Sequence, residues 1–449
     1  MSFENKYLVV RRARPKASLS IDPLSVETVA PAPMAPPGGP FTFDVDGAET
    51  PDVMADSPAP SPFPALRPAT TVSVEVASTP PDDDDAEATP MMPLSLVEPV
   101  EMTLTAAEEA VFPLTSTTPA DTWGRTAVGA DRTQLTGAGV TIAVLDAGID
   151  MGHSAFAHLA SKLEFKDFTG LGQSDGPKGH GTHCAGTIFG GSVDNIKIGI
   201  APGIKKALVA RVLGGNAGTD ALLDAIDWAL DNDADVISMS LGYDFIRYRD
   251  WLMGKPLNPP AKPPLKTLPD PAATSRALSA YRGNIRTFDA AMERIQARRA
   301  EGRDAVIVAA TGNESDRPDY VIDKSSPASA FNVVPVGAID NKRAIAPFSN
   351  TEPLFVAPGV NVVSAKVGGG LTRKHGTSMA CPHVAGLAAL YWEHLRKQNP
   401  GARIEARTVV SSLEMNALST RGSLFLQTSN RDVGQGMPGA PDVNLLQPA

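Results

Sequence analysis

The chain has 449 residues with 40 Lys/Arg against 50 Asp/Glu, a formal net charge of −10, and two cysteines, Cys184 and Cys381. That length gives room for one large domain with an extension, or for two ordinary domains. The acidic balance gives no electrostatic support to a nucleic-acid partner. No run approaches the roughly 18 apolar residues of a membrane span, and two cysteines make no disulfide framework.

The charge is unevenly spread. Residues 1–120 carry 18 acidic and 6 basic side chains, a net of −12, which leaves the remainder near neutral at +2. Half of the 40 prolines also fall in these 120 residues, together with the run Asp82-Asp83-Asp84-Asp85. Such a composition reads as an extended, mostly disordered leader. Residues 5–12 read as one short strand inside it. Two islands, 41–45 and 71–76, have the pattern of segments that order on contact. The leader is either a solubilising spacer or a segment that docks on the body and inhibits it. Residues 1–14 hold charge but no apolar stretch of secretory-signal length, so a cytoplasmic location is expected.

Order is expected from Trp123 onward. Val140-Thr141-Ile142-Ala143-Val144-Leu145 is an apolar run ending in Asp146, the pattern of a strand buried on both faces. Further strands are predicted at 207–213, 236–239, 305–309, 333–336 and 361–364. Helical patterns lie at 180–189 and 219–232, the latter with Leu222, Ala225, Ile226, Ala229 and Leu230 on one face. Strand–helix alternation predicts an α/β fold, a mostly parallel sheet flanked by helices, with function at the carboxyl ends of the strands. Asp146, Ser240 and Asn313 each stand at such an end.

The stretch Gly376-Thr377-Ser378-Met379-Ala380-Cys381-Pro382-His383 opens a helix that runs on through residues 387–392. A serine there is either a helix cap or a nucleophile whose free backbone N–H can hold an oxyanion. Pro382 inside the first turn and a half favours the second reading, since a structural helix rarely needs it. Gly179-His180-Gly181-Thr182-His183-Cys184 opens another helix, and Thr311-Gly312-Asn313-Glu314 places an amide at the sheet's edge. An acid, a histidine and a serine thus follow one another along the chain, with an amide between the last two.

At these residues the chain resembles the subtilisin-like serine peptidases. The match continues through Gly199-Ile200-Ala201-Pro202, Ser238-Met239-Ser240-Leu241-Gly242 and Val356-Ala357-Pro358-Gly359, and covers about residues 121–445 in the family's order. The resemblance implies a serine endopeptidase acting on polypeptides, with Ser378 as nucleophile, His180 as general base and Asp146 orienting it. It implies Asn313 as oxyanion donor. It also makes Ser240, Leu241 and Gly242 the strand that pairs with substrate backbone. His183 and His383 match structural positions. The departures are Ala147, where a hydroxyl is usual, and Cys184, a thiol four residues after His180 and read as a buried small hydrophobe. At the loop 190–197, where many relatives bind calcium, Asp194 and Asn195 are too few oxygen ligands to name a site, so calcium is left open and no cofactor is predicted.

The resemblance divides the chain into a leader, 1–120, and a peptidase domain, 121–449, with an insertion at about 243–275. After the insertion, Leu278, Tyr281, Ile285, Phe288, Met292 and Ile295 mark an amphipathic seam. The insertion is read either as a surface helix or as a wall of the cleft. The family also has an inhibitory propeptide, and residues 6–10 resemble its first strand, although the prolines argue against a compact version. Part of 1–120 is therefore expected to occupy the cleft and to be removed near 115–121. The segment 316–326 is expected to floor the subsite for the residue before the cut, where Asp323 would favour a basic side chain.

Overall fold

The structure, a computed structural model, describes residues 7–12, 72–77, 86–102, 112–172, 175–176, 178–214, 217–257, 264, 266–425 and 428–445. The island at 41–45, the run Asp82–Asp85 and much of the proline-rich loop at 256–271 lie outside the described residues.

The leader supplies strands β1 (Tyr7–Arg12), β2 (Val72–Ala77), β3 (Ala86–Pro90) and β4 (Leu94–Leu96). β5 (Ala120–Asp121) and α1 (Trp123–Ala127) lead into the body, followed by β6 (Thr141–Asp146), β7 (Leu163–Asp167) and α2 (His180–Phe189). A tight hairpin, β8 (Ser192–Val193) and β9 (Ile196–Lys197), turns through Asp194 and Asn195, both at positive φ. β10 (Lys206–Arg211), α3 (Thr219–Asp231), β11 (Val236–Met239) and β12 (Leu241–Tyr243) come next. α4 (Phe245–Leu252) and α5 (Asp270–Ala297) form the insertion region. β13 (Val306–Ala310), β14 (Val333–Ile339), β15 (Phe355–Pro358), β16 (Val362–Ala365) and β17 (Leu371–Lys374) precede α6 (Thr377–Gln398), α7 (Ala406–Leu424) and α8 (Asn430–Val433).

Seven of these strands form one parallel sheet in the order β15-β14-β13-β11-β6-β10-β7. All six residues of β6 are buried, and successive side chains enter different cores. Ile142 and Val144 pack with Ala185, Val384 and Leu387, from α2 and α6. Ala143 and Leu145 pack with Leu222, Ile226 and Phe288, from α3 and α5. Two apolar faces are why the strand reads as an unbroken apolar run. β16, expected beside the others, instead pairs antiparallel with β17 in a separate ribbon. β7 and β15 were not anticipated. β7 is a sheet edge with alternating charged residues, and β15 ends in Pro358.

The leader strands β2-β1-β3 form an antiparallel sheet against α5, and belong to the same compact unit as the body. A compact sheet was not expected from the proline content. It is feasible because closing the long connection between residues 12 and 72 costs only logarithmically with length. α5 buries the later part of the predicted seam, Phe288, Met292 and Ile295, but its first half presents a different face. Leu278 is 43% exposed, while Ala273, Ala277, Ala280 and Asn284 are buried. Small residues face inward because leader backbone crosses there: a Cβ on Gly283 would lie 2.2 Å from the Thr89 side chain.

Candidate active site

Asp146 ends β6, His180 opens α2, Asn313 follows β13 and Ser378 is the second residue of α6. Parallel topology carries all four to the carboxyl edge of the sheet. His180 Nδ1 lies 2.8 Å and 3.0 Å from the two Asp146 oxygens, with both side chains buried. The Ala147 N–H donates to Asp146 Oδ1 at 2.7 Å, so backbone serves the carboxylate where a hydroxyl is missing. Burial alone would push His180 down, but the Asp146 carboxylate reverses this and holds it well above the ordinary histidine value.

The first turn of α2 is anchored by Asp175, a buried carboxylate that accepts from the N–H groups of Gly181 at 3.3 Å and Thr182 at 2.5 Å. A carboxylate at this end completes orphan donors and faces the positive pole of the helix. Burial and the neighbouring Asp146 raise the Asp175 carboxyl to about 6.

At α6 the Thr377 N–H and Oγ1 both donate to Asn313 Oδ1, at 2.8 Å and 2.9 Å, which turns the Asn313 amide nitrogen toward the cleft. Gly376, at φ 155°, permits this approach, because a Cβ there would lie 2.9 Å from Asn313 Nδ2. Buried Asn350 accepts from the N–H groups of Glu314 and Ser315 and so braces the loop carrying Asn313. Sequence reasoning missed Asp175, Thr377 and Asn350. Thr377 sat inside a block already singled out, whereas Asn350 is remote in sequence and carries no local signal.

The cleft is occupied by the leader. β4 pairs antiparallel with β12, Leu96 opposite Leu241, Ser95 opposite Gly242 and Leu94 opposite Tyr243. The Val97 N–H donates to Ser240 O at 3.3 Å, and the Val100 N–H to His375 O at 2.8 Å. Ser378 Oγ donates to Val97 O at 2.8 Å, and Asn313 Nδ2 to the next carbonyl, Glu98 O, also at 2.8 Å. His180 Nε2 is buried and has no hydrogen-bond partner among the described residues. Leu94 and Val97 are buried, and Val97 Cγ2 lies 3.8 Å from where a Gly242 Cβ would stand. Beside this strand is a cavity of about 560 Å³ whose lining includes Leu96, Glu98, Asp175, His180, Leu213 and Arg247. Arg247 belongs to α4, so the insertion contributes to the cleft wall. Glu98 pairs with Lys178 at 2.7 Å, with both side chains more than half exposed, a contact of small energetic weight.

His183 Nε2 meets Val362 O at 3.0 Å and His383 Nδ1 meets Met379 O at 2.8 Å, both buried in packing roles. Cys184 is buried with Val362 and Met379. Asp323, expected in the subsite floor, is exposed, pairs with Arg431 and accepts from Thr351 Oγ1 at 2.9 Å. At the β8–β9 turn the Asp194 and Asn195 carbonyls accept from the N–H groups of Ser116 and Ala120. Among the described residues no helix is long and apolar enough to cross a membrane.

Comparison with known proteins agrees with this geometry. The chain is 35% identical over 268 residues to a cuticle-degrading serine protease of Arthrobotrys oligospora, covering 57% of this chain and 52% of that protein. It is 32% identical over 266 residues to an intracellular serine protease of Paenibacillus polymyxa (57% and 68% covered), and 31% identical over 259 residues to subtilisin E of Bacillus subtilis (57% and 56% covered). The match thus spans about half the length of the first of these relatives. The model of the subtilase family (Peptidase S8) matches residues 137–436, and the chain belongs to that family.

Proposed function

We propose that this chain is a serine endopeptidase that hydrolyses peptide bonds through an acyl-enzyme. The observation that carries the reading is the seat of the leader, where a peptide strand paired with 241–243 lays consecutive carbonyls on Ser378 Oγ and Asn313 Nδ2. In the reaction, His180 Nε2 takes the Ser378 proton as Oγ attacks a substrate carbonyl carbon. Asp146 holds the ring through Nδ1 and stabilises the imidazolium. The Asn313 amide and the Ser378 N–H hold the oxyanion. His180 then returns the proton to the leaving amine, and water releases the acyl group by the same path. Cleavage by the wild type and none by Ser378→Ala, at equal folded concentration, tests the assignment. Persistent cleavage by Ser378→Ala overturns it.

The leader acts in this reading as an intramolecular inhibitor. Ser378 Oγ is turned to Val97 O rather than to His180, and the oxyanion donor holds the following carbonyl. The two parts of the machinery address neighbouring peptide units instead of one, so the strand is held without being in position for attack. Removal of the leader would activate the enzyme. Intact-mass analysis separates a cut beside Val97 or Glu98 from the expected cut near 115–121, where β5 is paired with β9. If full-length protein is as active as a chain starting near Ala120, inhibition is excluded. Buried, unpaired Cys184 and Cys381, together with the relative named an intracellular protease, support a cytoplasmic setting. The contribution of Arg247 to the cleft favours a dedicated processing role over general digestion.

A further inference from the structure

Proline has no N–H, so a proline inside a helix leaves the carbonyl four residues earlier without its helical partner. In α6 that proline is Pro382 and the carbonyl it abandons is that of Ser378. The carbonyl is buried, and a buried acceptor left unpaired is costly. Two side chains from other elements converge on it instead. Ser240 Oγ, between β11 and β12, donates to Ser378 O at 3.2 Å, and Cys184 Sγ, on α2, donates to the same atom at 3.4 Å. Both residues are buried. Burial also pushes the Cys184 thiol up, so it keeps the proton it donates.

The peptide unit that follows Ser378 fixes its ψ, and with it the direction in which Oγ leaves the backbone. In an ordinary helix that unit would be held by an N–H of the same helix. Here it is held by α2 and by the strand edge that pairs with substrate. Cys184 is four residues after His180, and its Sγ lies 3.8 Å from His180 Nδ1. The thiol therefore ties the helix of the histidine to the helix of the serine next to the triad.

We infer that Cys184 and Ser240 are positioning residues, which hold the Ser378 carbonyl in place of the N–H that Pro382 lacks and so set the nucleophile against His180. The inference rests on the peptidase reading, because it assigns these residues a role only through Ser378. It separates Cys184 from a passive core residue and gives the Ser240 side chain a task distinct from its backbone pairing with substrate.

The test is a set of variants in the activated full-domain enzyme, with kcat, KM and melting temperature measured on one peptide series. Cys184→Ala and Ser240→Ala should each lower kcat several-fold, with KM little changed. Cys184→Ser, which keeps a donor at that place, should recover most of the kcat. Pro382→Ala restores an N–H four residues after Ser378, so in that background the kcat cost of Cys184→Ala and Ser240→Ala should shrink toward none. Costs that are the same with and without Pro382 would overturn the inference, as would equal kcat for Cys184→Ala and Cys184→Ser. If Pro382→Ala does not fold, the Ser-against-Ala comparison at residue 184 decides alone. Ser378→Ala serves as the control for the underlying reading. Activity in it close to that of the wild type removes the peptidase assignment, whereas its loss beside unaffected Cys184→Ala and Ser240→Ala variants removes only this inference.

Discussion

α6 and α5 flank opposite faces of the same sheet, yet they use buried polar groups differently. At the start of α6, Thr377 and Ser378 are buried side by side, and groups that serve them lie at the sheet's carboxyl edge, on Asn313, and on α2, at Cys184. On α5 the polar group that reaches other elements is Asn284, fully buried at the helix's middle. It accepts from the Met92 N–H at 3.3 Å and from Thr219 Oγ1 at 2.7 Å, and donates to Pro90 O at 2.9 Å. The first helix is organised around chemistry and the second around holding the leader. A buried polar residue is thus a marker of obligation, and only its partners show to what.

The largest effect expected on the α6 side is from Ser378→Ala or His180→Ala, each lowering kcat by ~10⁴-fold or more, the scale of removing one member of a serine triad. Steady-state kinetics on a peptide checks it. Asn313→Ala should cost about 10²–10³-fold in kcat with KM nearly unchanged, since its donor is used in the transition state. The α5 side is broken by Asn284→Ala in the full-length Ser378→Ala chain. Losing a buried amide with two bonds to the leader should raise hydrogen exchange of residues 86–97 by about 10- to 100-fold, corresponding to roughly 1–3 kcal/mol. Unchanged exchange would show that the strand pairing alone holds the leader.

The smallest effect is in the pH profile. A general base must be neutral to accept a proton, so activity is lost as pH falls through the His180 value, which the Asp146 carboxylate raises above the ordinary one. The acid limb of kcat/KM should therefore lie above the usual histidine range. Asp175, raised to about 6, is ionised on that limb, and its negative charge favours the imidazolium. Asp175→Asn should move the acid limb to lower pH while leaving the alkaline side in place. A pH series with both enzymes measures the shift.

The sequence by itself determined which strands are buried on both faces. A run such as 140–145 with apolar residues at both parities can only sit inside a sheet covered on two sides. It also determined which residues end those strands, because parallel topology sends Asp146 and Asn313 to one edge whatever the loops do. The blocks around His180 and Ser378 were legible because each is a few adjacent residues. Their supports were not: Asp175 and Asn350 act through backbone amides that no side-chain pattern reveals, and the significance of Cys184 depends on where α2 crosses α6. The leader shows the same limit more strongly. Composition described its average correctly as acidic and proline-rich. It could not show that Leu94–Leu96 lies along β12 or that Asn284 receives Met92, because those contacts join residues up to 192 positions apart and exist only once both cores have closed.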